Sequence, residues 1–332
     1  MKGFVRRLID CKDYYCNISP EAKWLSYKGW AIEGLFFACK RQITVTEQSG
    51  NDLTDYQVLV ELNSSNFDFS HANEDGSDIR FHDGNNLLNY WTEKWDNVNQ
   101  EAKIWVKVPS IPANGTTTFY MYYGNPNITS ASDGEATFEL FDDFEDNNIS
   151  DWVILNGGFS VSEGIVSTTG ERNLMHKGII AEKGIIIETS ARAGSGGMPG
   201  CAFAIQDVDN YYMSRINEPN DKLELVIKDA GNYETVAEVQ KTINANVWYV
   251  TKTIWKSDGT VRMEVYGGTS DRIGFDYENL NLIGTLDYTT ATKWSSGYVG
   301  LRCYDEGAYD WVRVRKYTDP EPSVSIGSEE TP

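Results

Sequence analysis

Positive charge is scarce in this sequence of 332 residues. Lysine and arginine total 29, against 49 aspartates and glutamates, so the formal net charge is −20. A surface that binds nucleic acid needs a concentrated positive face to neutralise phosphates, and the chain has no long basic run to supply one. The composition therefore argues against nucleic acid as a partner. It fits a soluble extracellular protein, a cation-binding protein or a salt-tolerant protein.

Histidine and cysteine are also rare. The three histidines, His71, His82 and His176, lie in no G-x-S-x-G context and beside no plausible nucleophile, which argues against Ser-His-Asp catalysis and a histidine-rich metal site. The five cysteines include no C-x-x-C pair, which argues against a zinc ribbon or a thioredoxin-like site. Cys201 and Cys303 fall in predicted strands, where they form either a cross-strand disulfide or, the favoured interpretation, two buried thiols.

Long apolar runs are absent as well. Residues 31–38 (AIEGLFFA) are apolar but short, and they include Glu33. Such a segment cannot span a bilayer and is a poor signal-peptide core. We therefore predict no direct membrane span. Residues 1–39 are an N-terminal extension of uncertain status: a helical extension, a partner-binding segment, or upstream sequence joined to a domain that begins near Lys40.

Aromatic residues and short alternating runs are abundant. Aromatics make up 13% of the chain, and runs such as Tyr56–Leu62 (YQVLVEL) and Ala102–Val108 (AKIWVKV) have the alternation of strands. Turn residues separate these runs at short intervals, and no helical periodicity competes with them. The pattern predicts an all-β protein with two antiparallel β-sandwich domains.

A polar connection at residues 127–135 (NITSASDGE) is the clearest boundary between the two domains. It separates a small β-sandwich at residues 40–126 from a larger one at residues 136–319. Residues 320–332 are rich in Pro, Ser and Glu, and this composition predicts a tail or the stub of a linker.

The second domain is organised around its last two strand-like runs, Gly297–Cys303 and Ala308–Tyr317. Tyr304-Asp305-Glu306-Gly307 between them has turn composition, so we predict a closing hairpin. Its expected partner is the opening stretch Phe138–Asp146 (FELFDDFED), because a closing hairpin normally completes a sheet begun much earlier in the chain.

Residues 40–124 resemble the family called domain of unknown function 2341, which occurs in archaeal and bacterial surface proteins. The matching stretches are KRQITV, LTDYQVLV, DGSDIRF, the Trp95-Asp96 pair, AKIWVKVP and FYMYYGN. Residues 136–319 resemble a concanavalin-A-like lectin/glucanase jelly roll, through FDDFEDNNISDW, GGFSVSEGIV and GYVGLRCYDEGAYDWVRVRKY. The resemblance implies a concanavalin-like jelly roll for the second domain and a cell-surface setting for both.

The acidic opening of the second domain suggests a cation site. Ca²⁺ prefers six to eight oxygen ligands, and sandwiches of this family often bind a structural Ca²⁺ near their termini. If the first and last strands are neighbours, Asp143, Glu145 and Asp310 come together as ligands for calcium. The alternative is a solvated acidic loop.

One strand and the loop after it combine aromatic rings with hydrogen-bonding groups. Tyr211, Tyr212, Arg215 and Asn217 have the side chains of a carbohydrate site, in which rings stack on the sugar and polar groups bond its hydroxyls. A second candidate set is Trp255 with Tyr266, Arg272 and Tyr277. The alternative is that they are core and ordinary surface. Hydrolysis of glycosides is disfavoured, because no pair of carboxylates has the spacing that a strand face requires.

These features together predict a non-catalytic extracellular or cell-surface binding protein that recognises carbohydrate or another surface ligand through the second domain. Two alternatives remain open. One is a structural subunit of an extracellular assembly or filament, in which the sandwiches associate with copies of themselves. The other is a glycoside hydrolase.

Overall fold

The computed structural model of the protein describes residues 29–289 and 291–332. In that range the chain is almost entirely β-strand, which confirms the predicted fold class. The helices are short: a 3₁₀ helix at Phe69–His71, α1 at Gly134–Thr137 and a second 3₁₀ helix at Glu218–Asn220. No helix of the described residues is long and apolar enough to cross a membrane. Residues 1–28 of the predicted extension lie outside the described range.

The first sandwich packs a five-stranded sheet against a three-stranded sheet. Its strands are β1 (Trp30–Ile32), β2 (Leu35–Phe37), β3 (Cys39–Thr46), β4 (Leu53–Asn63), β5 (Arg80–His82), β6 (Leu87–Leu88), β7 (Tyr90–Asp96), β8 (Glu101–Ile111), β9 (Thr116–Tyr123) and the last strand of the chain, β23 (Ser323–Glu330). The larger sheet has the order β23-β3-β9-β5-β6 and the smaller one β4-β8-β7.

Alternation along β4 shows why the two sheets pack. Tyr56, Val58 and Val60 point into the core between the sheets, as the period of two of a strand dictates. Gln57 and Leu59 point the other way, towards the second sandwich. Both faces of this strand are therefore covered.

The prediction that residues 320–332 form a tail is wrong. Ser323–Glu330 pairs antiparallel with β3, with Ile326 opposite Ile43 and Val324 opposite Val45. Val324 and Ile326 pack against the first core. Composition misled here, because a strand on the edge of a sheet tolerates the polar and small residues that also mark linkers.

The boundary predicted at residue 40 also needs correction. β1 and β2 form a small hairpin, and Ile32 and Phe37 pack against Tyr122 of the first sandwich. Cys39 already belongs to β3, where it lies opposite Tyr123. The described part of the predicted extension, residues 29–39, thus packs as part of the first sandwich.

The second sandwich is the larger. Its strands are β10 (Leu140–Asp142), β11 (Val153–Ser162), β12 (Ile165–Glu182), β13 (Ile185–Ala193), β14 (Met198–Asp207), β15 (Asn210–Asn217), β16 (Lys222–Asp229), β17 (Asn232–Gln240), β18 (Trp248–Trp255), β19 (Val261–Thr269), β20 (Leu282–Tyr288), β21 (Ser296–Tyr304) and β22 (Gly307–Lys316).

These strands form two layers that the long strand β12 connects. The order is β17-β16-β15-β14-β21-β12-β22-β13-β18-β19-β20, with β10 beside β22 and β11 beside β12. The second half of β12 pairs with β21, whereas Val166 and Ser167 in its first half pair with β22. The main core lies between the layers, as expected for the concanavalin-like jelly roll.

The two ends of the second sandwich meet, as the sequence predicted. Leu140, Phe141 and Asp142 pair with Val314, Arg313 and Val312. The closing hairpin itself is not formed, because β12 lies between β21 and β22. The turn after Tyr304 instead carries the chain from one layer to the other. Turn composition predicts that the chain reverses but does not determine which sheet the next strand joins.

The two sandwiches contact each other through a cluster of aromatic rings. Trp105, Phe138 and Phe141 are buried there, and Trp91 and Phe275 pack against them. The Trp91 and Phe275 ring centroids are 4.7 Å apart. Lys103 of the first sandwich forms an ion pair with Asp276 of the second at 2.7 Å. Aromatic packing and charge pairing thus both join the modules.

Candidate ligand-binding face

Two of the predicted sugar-binding residues lie inside the core. Trp255 is fully buried and Tyr212 nearly so, and both rings pack on Phe203, with centroid distances of 5.3 Å and 5.4 Å. A ring enclosed between two sheets cannot stack on a sugar. Tyr212 and Trp255 are therefore core residues, and the prediction of a sugar platform at these positions is corrected.

The other three residues of the first candidate set lie on the outer face of the same layer. Tyr211, Arg215 and Asn217 alternate along β15 with the core residues of that strand. Glu224, on the neighbouring strand β16, binds Arg215 Nε at 2.7 Å and Asn217 Nδ2 at 2.8 Å. Arg215 and Asn217 therefore already have a protein partner. Tyr211 instead belongs to the surface around Arg302 of β21.

β21 crosses that outer face with an unusual set of side chains. Val299, Leu301 and Cys303 point into the main core, so Tyr298, Arg302 and Tyr304 point outwards with Gly300. We call the surface formed by Arg302, Tyr211, Tyr233, Tyr298 and Tyr304 the Arg302 face. Gly200 lies opposite Arg302 in the ladder, and this small residue leaves room for the long side chain to lie along the sheet.

Arg302 is a buried cation surrounded by tyrosine rings. Arg302 is 1% exposed. Its guanidinium carbon lies 5.6 Å from the Tyr233 ring centroid and 5.8 Å from the Tyr304 ring centroid. Nη2 donates to the Tyr233 hydroxyl at 3.2 Å, whereas Nε and Nη1 have no hydrogen-bond partner within the part of the chain that the structure describes. No carboxylate among the described residues forms an ion pair with Arg302. Buried charges and donors are normally paired, so these two guanidinium nitrogens are an exception to the rule.

Tyr233 is the part of this face that contacts solvent most. It is 40% exposed and lies on the outermost strand of its layer, β17. Partial burial raises the pKa of Tyr233, but the hydrogen bond from Tyr211 and the nearby Arg302 charge outweigh it, and the net pKa is lowered. Its hydroxyl is thus a strong donor at the entrance to Arg302.

A second aromatic pair lies at the other end of the face. The His176 and Tyr298 rings stack with centroids 4.1 Å apart and an interplanar angle of 12°. Burial lowers the pKa of His176, so the imidazole is neutral at neutral pH. The face therefore combines flat rings with the positive charge of Arg302, which suits a ligand that has both apolar C–H surfaces and hydrogen-bond acceptors.

The predicted calcium ligands surround an arginine. Arg272, from the loop between β19 and β20, forms an ion pair with Asp310 and another with Glu145 at 2.8 Å. The carbonyl of Glu163 accepts from Arg272 Nη1 at 3.2 Å. Burial and the charges of Glu145 and Asp143 raise the pKa of Asp310, while Arg272 opposes them.

The structure thus brings the predicted oxygen ligands together, but around a guanidinium. Asp310 and Glu145 share this partner, and Asp143 is near enough for its charge to act on Asp310. The oxygen-rich donor set is of the type that Ca²⁺ prefers. Calcium at this position stays a prediction, and Arg272 is its direct competitor.

A cleft between the two sandwiches is a second concave region. It has a volume of about 500 Å³, within the range of small-ligand pockets. Its lining is mostly polar and includes Glu61, Lys252 and Glu321. Two aromatic residues line the cleft, Tyr56 and Trp105. Tyr56 is buried, and Trp105 is covered by Arg315, whose guanidinium carbon lies 4.8 Å from the ring centroid. The cleft therefore offers no free stacking surface at Trp105.

The sequence contained a signal for the Arg302 face that strand periodicity could have revealed. In Gly297–Tyr304 (GYVGLRCY), every second residue from Tyr298 is glycine, arginine or tyrosine, and the intervening residues are apolar. Turn and strand composition alone indicate only that this stretch is the first half of a hairpin. Lys228 on β16 and Tyr233 on β17 also lie at this face, and no local sequence pattern indicates either of them.

The cysteine prediction is settled for the described range. Cys39, Cys201 and Cys303 are free and buried, which agrees with the favoured interpretation of buried thiols. Cys201 lies opposite Leu301 in the ladder between β14 and β21, not opposite Cys303. The ladder therefore does not juxtapose the two thiols.

Comparison with known proteins gives one family match. Residues 75–154 match the family described as Domain of unknown function (DUF2341). The match begins later than the resemblance seen in the sequence and continues through the connection between the sandwiches into the second one. No curated protein matches the chain.

Solved structures resemble about half of the chain at low identity. The carbohydrate binding module CBM66 from Bacillus subtilis has a TM-score of 0.41 at 19% identity, over 51% of this chain and 98% of that one. The Emp47p carbohydrate recognition domain has a TM-score of 0.38 at 10% identity, over 54% and 96%. A β-glucanase from Bacillus licheniformis has a TM-score of 0.38 at 13% identity, over 53% and 97%. Likenesses this distant carry no argument about the ligand of this chain.

Proposed function

We propose that the protein is a non-catalytic binding protein that recognises carbohydrate through the Arg302 face. One observation carries the proposal. Arg302 is buried among tyrosine rings, and two of its nitrogen atoms have no hydrogen-bond partner in residues 29–289 and 291–332. Sugar hydroxyls and carboxylates are acceptors for such donors, and the C–H faces of a sugar ring pack on aromatic side chains.

An acidic sugar fits the face best. A carboxylate accepts two parallel N–H bonds from a guanidinium, and such charge-assisted bonds are about twice as strong as neutral ones. Lys228 lies beneath the same rings, with Nζ 5.1 Å from the Tyr233 centroid. Because Tyr233 covers Arg302 from an outermost strand, a rotation of its side chain would open the guanidinium to the ligand.

The carboxyl groups at the rim of the face favour binding over glycoside hydrolysis. Glu224 and Glu238 lie opposite each other on β16 and β17. Glu224 is bound by Arg215, and Glu238 by Lys222 at 2.8 Å. Both carboxylates are therefore already paired with cations of the protein, and neither is free for the acid and base roles that glycoside hydrolysis requires.

A binding role of this kind suits an extracellular or cell-surface protein, and we propose that location. The acidic net charge of −20 accords with it but does not select among soluble compartments. A structural Ca²⁺ at Asp143, Glu145 and Asp310 would belong to the same proposal, since it would brace the ends of the second sandwich away from the Arg302 face.

The test is a glycan array probed with the full chain, followed by calorimetric titration of any neutral or uronic-acid oligosaccharide that binds. Tyr233→Ala and Tyr304→Ala should each weaken binding about tenfold, which corresponds to about 1.4 kcal/mol. Arg302→Lys should weaken acidic ligands more than neutral ones, because lysine cannot form the bidentate pair.

Two control variants locate the site. Tyr120→Ala removes a half-buried ring from the first sandwich, and Lys252→Ala removes a charge from the cleft between the sandwiches; both should bind as the wild type does. An array without hits would reject carbohydrate binding. Binding lost in Lys252→Ala but kept in Tyr233→Ala would move the site to the cleft.

A second candidate function is self-association as a structural subunit. Among the strands that the structure describes, β11 pairs only with β12, which leaves the backbone groups of its other edge unpaired there, and Val153 and Ile154 on it are exposed. An exposed edge strand with apolar side chains is a template for pairing with another copy. Sedimentation velocity distinguishes this function: a monomer at all concentrations would reject it.

A further inference from the structure

Three metal-binding side chains converge where β23 completes the first sandwich. Cys39 is the first residue of β3, His71 ends the 3₁₀ helix at Phe69–His71, and Glu329 lies near the end of β23. The thiol sulfur, an imidazole nitrogen and a carboxylate oxygen all lie within 4.8 Å of one another. The three residues come from separate parts of the chain, and only the fold brings them together.

The geometry of the cluster leaves one side open. His71 Nδ1 lies 2.9 Å from Glu329 Oε1 and 3.0 Å from Oε2. Cys39 is 5% exposed, so its thiol lies on the buried side of the cluster. The His71 side chain is 44% exposed and lies at the solvent side. A cation bound here would have three protein ligands and access to water.

The donor types point to zinc. Thiolate sulfur, imidazole nitrogen and carboxylate oxygen are the usual Zn²⁺ ligands, and sites with three protein ligands keep a fourth position for water. Calcium and magnesium prefer oxygen ligands throughout, so a cysteine and a histidine select against them. Thiolate and imidazole ligands suit zinc better than manganese or iron(II), and copper is the competitor that the donor set does not exclude.

The neighbours of the cluster support its ligands as they do in metal sites. Metal-bound histidines almost always present their second ring nitrogen to a carboxylate, a carbonyl or water. Asp68 Oδ2 lies 3.7 Å from His71 Nε2, and Asp68 is itself fixed by the Ser70 backbone N–H at 3.0 Å. The Tyr123 hydroxyl donates to Glu329 Oε2 at 2.7 Å.

One positive charge lies close enough to compete, but it has other partners. Arg41 Nη2 is 3.8 Å from Glu329 Oε2. Arg41 Nε donates to the Tyr123 hydroxyl at 3.0 Å, and Nη1 donates to the Gly327 carbonyl at 2.9 Å. The guanidinium is thus held on the Oε2 side, and Oε1 is left for a metal.

We propose that Cys39, His71 and Glu329 form a zinc site with an open fourth position, which fastens the C-terminal strand to the first sandwich. The site is distinct from the Arg302 face, which lies on the other sandwich, and does not depend on carbohydrate binding. Binding releases the protons of the thiol and the imidazole, because only the deprotonated forms ligate the ion.

The test uses the full chain without an affinity tag, stripped with a chelator and titrated with Zn²⁺ alone by calorimetry. We expect one equivalent to bind. Co²⁺ in place of Zn²⁺ should give a thiolate-to-cobalt charge-transfer band that disappears in Cys39→Ser. His71→Ala should weaken zinc binding more than about a hundredfold, and Asp68→Asn about tenfold through the orientation of the imidazole. Zinc should also slow amide exchange in Ser323–Glu330.

Matched variants separate this site from other ligands in the chain. His82→Ala removes a histidine elsewhere in the first sandwich, and the double variant Cys11→Ser/Cys16→Ser removes two cysteines outside the described residues; both should retain zinc. No zinc binding by the wild type would overturn the proposal, as would binding that survives Cys39→Ser and His71→Ala. Because the His71 side chain is partly exposed, its variant is expected to fold.

Discussion

At the scale of single residues, Arg313 shows how charge is accommodated deep in this protein. Its Nε and Nη2 bind Glu188 at 2.8 Å and 3.1 Å, and Nη1 binds Glu93 of the first sandwich at 2.5 Å. Its guanidinium carbon also lies 5.3 Å from the Trp105 ring centroid. The buried cation is thus satisfied by two carboxylates and by aromatic faces from both modules.

The Glu188→Gln variant tests this buried pair. Burial alone raises the pKa of Glu188, but Arg313 outweighs it and holds the pKa at about 2. The ionised carboxylate therefore stabilises the fold above the ordinary carboxyl pKa, and this stabilisation is lost as the pH falls towards 2. At pH 7 we expect the variant to lose about 3 kcal/mol in urea unfolding, and the loss should shrink between about pH 4.5 and pH 2.

An exposed ion pair provides the comparison. Arg262→Gln breaks contacts with Glu264 and Asp287 on the surface, where such pairs contribute about 1 kcal/mol or less. If Glu188→Gln cost no more than this variant, or if its cost were the same at every pH, the buried pair would not be a source of stability.

There is a physical reason why the burial of Arg313 could not be predicted from the sequence. Alternation in Ala308–Tyr317 indicates one apolar face and one charged face, and a charged face is normally in water. Here the first sandwich covers that face, so Arg313 and Arg315 are as buried as Val312 and Val314. A pattern within one domain contains no information about what a second domain covers.

At the scale of elements, the meeting of the two ends of the second sandwich was the feature most predictable from the sequence. The pairing of β10 with β22 was predictable because closing strands such as Ala308–Tyr317 normally complete a sheet begun much earlier in the chain. The place of β12 between β21 and β22 was not predictable, since it depends on a strand long enough to join two layers. Likewise, nothing local in Ser323–Glu330 indicates that it returns to β3.

Deleting residues 323–332 tests the role of β23. The truncation removes Val324 and Ile326 from the first core and exposes the edge of β3, and an open edge promotes pairing between chains. We expect a lower melting midpoint and a shift to larger species in size-exclusion chromatography. Deleting only residues 331–332, which lie beyond the strand, should change neither. A truncated chain that melts and elutes like the full one would assign β23 no structural role.

The Arg272→Gln variant tests the predicted calcium site. Removing the guanidinium leaves Asp310 and Glu145 without their shared cation, and Asp143 adds a third negative charge nearby. A calcium ion at this position would bind the folded state only, so it should raise the melting midpoint, and more in Arg272→Gln than in the wild type. Differential scanning fluorimetry with Ca²⁺ and with chelator makes the comparison.

Arg262→Gln again serves as the control. Arg262 is a surface residue on β19, and β13 and β18 separate that strand from β22, which carries Asp310. A midpoint that calcium leaves unchanged in both the wild type and Arg272→Gln would remove calcium from this site. An equal rise in the wild type, Arg272→Gln and Arg262→Gln would place the ion elsewhere.

At the scale of the whole molecule, the two sandwiches share a packed and charged interface. Trp91 and Phe275 bring aromatic rings from the two sides together. Arg313 bonds to Glu93, and Asp276 pairs with Lys94 and Lys103. An interface with both apolar packing and buried ion pairs resists the relative motion that is usual between domains.

We therefore expect the two sandwiches to unfold as one cooperative unit. In the wild type, differential scanning calorimetry should show one transition whose calorimetric and van't Hoff enthalpies agree. The double variant Trp91→Ala/Phe275→Ala removes the facing rings without entering either main core, and it should split the transition in two. Leu282→Ala, which shortens an exposed side chain on β20, should keep a single transition. Two transitions in the wild type would contradict this coupling and would mean that each sandwich is stable by itself, in which case the aromatic cluster orients the modules rather than stabilising them.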